Sequence, residues 1–115
     1  MKKITLYHNP RCSKSRSAKA LLEEHGAEFS IVEYLKTPPD VEQLKALAGK
    51  LRLPVREMLR TNESIYRELQ LDRVDSEEAL FKAVAEHPIL LQRPIAVAGN
   101  NAVIGRPPEN VLELI

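Results

Sequence analysis

At 115 residues the chain has the length of one ordinary domain, enough to bury a core without disulfides or metals. Hydrophobic residues make up 43% and charged residues 29%, and 17 basic against 16 acidic side chains leave a net charge of +1, a globular balance with nothing that calls for nucleic acid or a membrane surface. The single cysteine, Cys12, excludes a disulfide scaffold and a self-contained dithiol cycle, so any redox turnover must borrow outside thiols.

The start, Met1-Lys2-Lys3, is followed too soon by Tyr7, His8, Asn9, Pro10 and Arg11 for a signal peptide or membrane span, so a cytoplasmic protein is expected. Lys3 to Tyr7 alternates polar and apolar, with Ile4 and Leu6 on one face, which predicts a first strand ending near Tyr7. After the loop residues His8 to Arg11, helical spacing of Ala18, Leu21, Leu22 and His25 predicts a helix that begins just after Cys12 and is capped by Gly26. Phe29 to Tyr34 reads as a second strand, closed by Thr37-Pro38-Pro39.

Asp40 and Gln43 form a capping-box pattern ahead of a helical stripe from Val41 to Leu51. Pro54 opens a short helix holding Met58, Leu59 and Arg60, Asn62 caps a turn with Ile65 and Leu69, and Ser76 starts a helix carrying Leu80, Phe81 and Val84. Beyond His87-Pro88, the runs Ile95 to Ala98 and Ala102 to Ile104, joined by Gly99-Asn100-Asn101, predict a hairpin, and Pro107 and Pro108 open a last helix. The order βαβ, helical insertion, ββα is that of an α/β thioredoxin-like fold, expected as a single domain over 1–115.

Cys12 between a strand and a helix places its sulfur against unpaired N–H groups at the positive end of the helix dipole. Arg11, Lys14 and Arg16 flank it, Ser13 and Ser15 offer hydroxyl donors, and His8 is placed to hydrogen-bond the sulfur or to hold the loop. Lowering a thiol from about 8.5 to about 6.5 takes roughly 2.7 kcal/mol, which several such neighbours together supply. Cys12, His8 and Ser15 are therefore the candidate catalytic residues; a lone cysteine packed as a small hydrophobe is the alternative, disfavoured by polar neighbours.

A phosphatase loop would need arginine at position 18, which is alanine, so any oxyanion must find other ligands. Arg60, Arg93 and Arg106 lie at element ends, and arginine's planar fork suits a tetrahedral oxyanion. In a thioredoxin-like fold the proline before the third strand is cis and packs beside the reactive sulfur, which would bring Arg93 of Arg93-Pro94 near Cys12.

The segments His8 to Arg16, Met58-Leu59-Arg60-Thr61, Arg93-Pro94-Ile95 and Ile104-Gly105-Arg106-Pro107-Pro108 together resemble the ArsC arsenate reductase family across the whole chain. The resemblance implies a Cys12 thiolate attacking arsenate held by Arg60, Arg93 and Arg106, a cysteine-bound arsenic intermediate, and completion by glutathione and glutaredoxin. No bound cofactor or metal is implied, and a monomer is expected. The chain departs from the plasmid-borne arsenic-resistance members, which have a longer C-terminal tail, at Ser13-Lys14, where they carry glycine-threonine.

Two other readings compete. A glutathione-dependent thiol reductase acting on another electrophile would use the same thiolate but has no need of three arginines. An Spx-type regulatory binding module shares the fold, but its paired-cysteine switch has no counterpart at Ser15.

Overall fold

A computed structural model describes residues 3–115. The described chain falls into two compact units, one running from its start to Thr37 together with Arg93–Ile115, the other Pro38–Gln92.

In the first unit, strand β1 (Ile4–Tyr7) is followed by helix α1 (Ser13–Glu24), strand β2 (Phe29–Val32), the hairpin β3 (Ile95–Ala98) and β4 (Asn101–Ile104), and a 3₁₀ helix at Pro108–Leu114. The sheet order is β2-β1-β3-β4, with β1 parallel to β2 and antiparallel to β3. This is a thioredoxin-like arrangement, as the element order predicts. The period-two alternation of β1 turns Ile4 and Leu6 inward, where they meet Ala96 and Ala98 of β3, Ala18 and Leu22 of α1, and Val111. Burying such a cluster fixes α1 against the sheet, and with it the position of the loop that precedes the helix.

Helix α1 ends as its sequence requires. Gly26 takes a left-handed φ of 66°, its N–H donates to Glu23 O and that of Ala27 to Leu22 O, a Schellman closure. Two boundaries differ from the sequence reading. Strand β2 stops at Val32 rather than Tyr34, because Lys36 and Thr37 both donate to Glu33 O and turn the chain there; Tyr34 is buried beyond the strand. The hairpin loop is only Gly99-Asn100, since Ala98 pairs with Asn101, and a φ of 61° at Gly99 suits its first central position. The last helix is 3₁₀ throughout, Asn110 N–H closing on Pro107 O.

The second unit holds α2 (Val41–Leu51), α3 (Ser64–Glu68) and α4 (Glu77–Glu86) with 3₁₀ turns at Val55–Met58, Leu71–Arg73 and Pro88–Leu90. The capping box on α2 is formed: Gln43 N–H donates to Asp40 Oδ1 at 2.8 Å and Asp40 N–H to Gln43 Oε1 at 2.9 Å. Ser76 Oγ likewise accepts from Ala79 N–H at 3.2 Å and starts α4.

Here too the boundaries shift. The short helix stops at Met58, because Leu59 pairs with Leu91 in an antiparallel bridge while Gln92 N–H reaches Met58 O and Arg60 N–H reaches Leu90 O; Arg60 thus lies outside the helix. The residue that precedes α3 is Glu63 rather than Asn62, with no side-chain cap. Arg56 ties this region together, donating to Tyr66 Oη at 3.0 Å, Leu71 O at 3.1 Å and Val74 O. No helix among the described residues is long and apolar enough to cross a membrane.

Candidate active site

Cys12 is the N-cap residue of α1, half-buried and in extended conformation at φ −93°, ψ 123°. The N–H groups of the first turn have no acceptor within the helix, and those of Lys14 and Ser15 act on the sulfur. Burial, the largest single influence, pushes the thiol pKa up. The backbone N–H of Ser15, a hydrogen bond from the Arg93 side chain, the backbone N–H of Lys14 and the Arg93 charge together outweigh it, leaving the thiol below its ordinary value.

The loop before Cys12 is built by Asn9, a buried residue that sequence reasoning did not single out. Its carbonyl accepts from Cys12 N–H at 3.0 Å and its Oδ1 from Arg11 N–H at 3.0 Å. The Asn9-Pro10 pair is the signal for such a side-chain-closed turn.

His8 and Ser15 lie together beneath this loop. His8 Nδ1 is 2.6 Å from Ser15 Oγ, and Ser15 Oγ also accepts from Asn9 N–H at 3.1 Å. The Ser15 hydroxyl therefore serves two loop groups at once, the Asn9 N–H and His8 Nδ1. The His8 pKa is lowered: burial lowers it most, Lys19 lowers it further, Glu33 opposes and Arg16 adds to the lowering. Through Ser15, His8 is tied to the loop that carries Cys12. Ser15 faces the sulfur with its backbone N–H, while its hydroxyl faces His8.

Arg93 and Arg106 meet at Cys12. Arg106 Nη2 is 4.0 Å from Cys12 Sγ, and Arg106 Nε donates to the Arg93 carbonyl at 2.9 Å. Nε and Nη1 of Arg93 are buried and have no acceptor among the described residues. Two charged N–H nitrogens in that state are costly unless an anion takes them up. The Arg93-Pro94 peptide is cis, as expected; Arg106-Pro107 is cis as well, which the sequence did not announce.

Gly105 joins the two arginine segments and Asn110 braces the turn of one of them, and neither was singled out from sequence. Gly105 N–H donates to Pro94 O at 2.8 Å. Asn110 Nδ2 donates to Ile104 O at 3.3 Å and Arg106 O at 3.2 Å, spanning the turn that carries Arg106.

Arg60 belongs to the second unit, where its Nε forms an ion pair with Glu63 Oε2 at 3.1 Å and its Nη1 is buried without an acceptor among the described residues. No group of three His, Cys, Asp or Glu among the described residues is placed to hold a metal ion.

A thioredoxin-like sheet with a lowered-pKa cysteine at the start of its first helix, faced by two arginines on cis Arg-Pro segments, defines a single-cysteine thiol protein. The chain belongs to the ArsC family, whose profile matches residues 7–114 and so takes in segments of both units. It is 49% identical over 113 residues to an arsenate reductase of Neisseria meningitidis serogroup A, with 96% of this chain and 97% of that one aligned. It is equally 49% identical over 116 residues to an uncharacterized protein, YfgD, of Escherichia coli, covering 99% and 98% of the two chains. Among solved structures it is similar to an arsenate reductase from Vibrio cholerae, with a TM-score of 0.96, 49% identity, and 99% and 98% of the two chains covered.

Proposed function

We propose that the protein is an arsenate reductase that acts through Cys12. The observation that carries this reading is the meeting of Arg93 and Arg106 at a sulfur whose pKa is lowered, with two buried Arg93 nitrogens lacking an acceptor. An oxyanion satisfies those N–H groups through charge-assisted hydrogen bonds, whereas a disulfide substrate does not. The naming of 49%-identical relatives as arsenate reductases supports arsenate as that oxyanion.

In this scheme Arg93 and Arg106 bind the anion. The Cys12 thiolate attacks arsenic and displaces one oxygen as water, forming a sulfur–arsenic bond. Arg60 joins the anion's ligands on the strength of the family resemblance of Met58-Leu59-Arg60-Thr61. His8 and Ser15 are positioning residues that fix the loop and the helix start.

Two electrons must reach arsenic, and Cys12 supplies one thiol of the two required. Glutathione supplies the other, arsenite leaves, and the resulting Cys12–glutathione disulfide is opened by glutaredoxin and more glutathione. The net change is arsenate and two glutathione thiols going to arsenite, glutathione disulfide and water. Such a cycle works in the reducing cytoplasm, with glutathione as a consumed reductant rather than a bound cofactor and the protein as a monomer.

The test is NADPH oxidation coupled through glutathione reductase, with arsenate and glutaredoxin added or withheld, on the parent and on Cys12→Ser. Oxidation that requires arsenate, glutaredoxin and Cys12 is expected. A parent protein that leaves NADPH untouched in the complete mixture would remove the proposal.

A further inference from the structure

Lys2, Lys3, Arg11, Lys14, Arg16 and Lys19 precede the first carboxylate of the chain, Glu23, although the whole protein carries only +1. Arg11, Lys14 and Arg16 are exposed, and no ion pair among the described residues engages them. Arg16 is held beside the Cys12 loop, its Nη1 donating to Pro10 O at 2.9 Å. Glu33 opposes Lys19 and Arg16 at His8 and is itself paired with Lys36 at 3.6 Å.

This placement runs against helix electrostatics. The first turn of α1 contains no acid and begins Ser13-Lys14-Ser15-Arg16, although the positive end of a helix dipole favours carboxylates and repels cations. A local preference broken in an otherwise consistent helix is the kind of violation found at functional sites.

We infer that this cationic rim is the docking surface for the thiol co-substrate, a small anionic thiol peptide of the glutathione class. Its carboxylates lie on Arg11 and Lys14 while its sulfur attacks at Cys12. The inference deepens the proposed function, resting on its conclusion that Cys12 needs an outside thiol. The oxyanion and the peptide are separated by chemistry: half-buried arginines fix the former, and long, mobile, exposed side chains gather the latter's charge at longer range.

The experiment uses the full chain with Cys12 loaded as its mixed disulfide with thionitrobenzoate, and no arsenate. An attacking thiolate forms a new disulfide with Cys12 and expels coloured thionitrobenzoate, so the Cys12 pKa does not enter and failure of arsenate reduction is read separately. Glutathione and mercaptosuccinate are compared with cationic cysteamine, each normalised to its rate with thionitrobenzoate disulfide of a small cysteine peptide. The parent should prefer the anionic thiols, and Arg11→Glu/Lys14→Glu should lower that preference by about tenfold at low salt, within the usual range of electrostatic steering. High salt should erase it in the parent. Acids at the helix start leave the fold secure. A preference that survives the double substitution, or that disappears only when Arg93 or Arg106 is replaced, overturns the inference. So does a double variant slowed toward a dithiol protein but not toward glutathione.

Discussion

A Cβ added to Gly105 would lie 2.7 Å from Cγ of Pro94 and 3.1 Å from Cγ1 of Val111, so the segments carrying Arg93 and Arg106 touch at a point where only glycine fits. The proline ring is rigid, and relief must come from backbone movement. Gly105→Ala is expected to destabilise the protein by about 1–3 kcal/mol, the usual cost of overpacking, and to lower arsenate turnover efficiency by displacing both arginines. Urea denaturation and kcat/KM measure the two effects. An unchanged urea midpoint would mean that the segments yield freely and do not set the arginines.

The lowered Cys12 pKa has a definite pH consequence. The alkylation rate at Cys12 should reach half its plateau at a lower pH than that of an unperturbed thiol. Since folding favours the thiolate, the linked stability is present in full above the unfolded thiol's pKa and is lost as pH falls through the folded value. Arg93→Ala should move the alkylation midpoint upward, because it removes both a hydrogen bond and a charge from the sulfur. A midpoint at or above the free-thiol value in the parent would deny any activation.

The His8–Ser15 pair predicts a separate effect. Ser15→Ala removes the hydroxyl that His8 Nδ1 and Asn9 N–H both use, leaving buried groups without partners at a cost of about 1–3 kcal/mol. In the parent, His8 should titrate below about 6.5 by NMR. Its folded pKa is depressed, so the stability linked to its neutral form is complete above the unfolded value and lost as pH falls through the folded one. A His8 that titrates above the free imidazole value would contradict the lowering by burial and by Lys19.

The arginines separate oxyanion chemistry from general thiol exchange. Each hydrogen bond to a charged group contributes about 1.5–3 kcal/mol, so Arg60→Ala, Arg93→Ala and Arg106→Ala should each lower arsenate kcat/KM by roughly 10- to 150-fold. Arg93→Lys should recover only part of the loss, since it keeps the charge without the planar fork. Far-UV circular dichroism should stay native in all the variants. Parent-like arsenate reduction in any one of them would remove that arginine from the anion's ligands.

Much of the first unit is legible in one dimension because its signals are local. Ile4 and Leu6 alternate along β1, Ala18, Leu21 and Leu22 recur on α1, and Gly26 ends the helix, each read from neighbours a few residues away. The capping pair Asp40 and Gln43 is of the same kind. Where the reading went astray, long-range pairing intervened. Leu59 and Arg60 have the composition of a helix but are drawn out of it by Leu91 and Leu90, about thirty residues on in sequence, and no local signal announces that.

For the site, the sequence by itself determined that a lone thiol would stand at a helix start among cations, and that any turnover would draw on a second thiol from outside. The tertiary structure decided which atoms face the sulfur. Ser15 turns its backbone N–H to Cys12 and its hydroxyl to His8, while Arg106 comes to Cys12 across 94 residues of chain and is held there by the Arg93 carbonyl, Asn110 and the contact of Gly105 with Pro94. Residue order records propensity over a turn or two of helix, whereas the direction of a donor and the meeting of distant arginines depend on how the sheet and helix pack, which only the burial of the whole core settles.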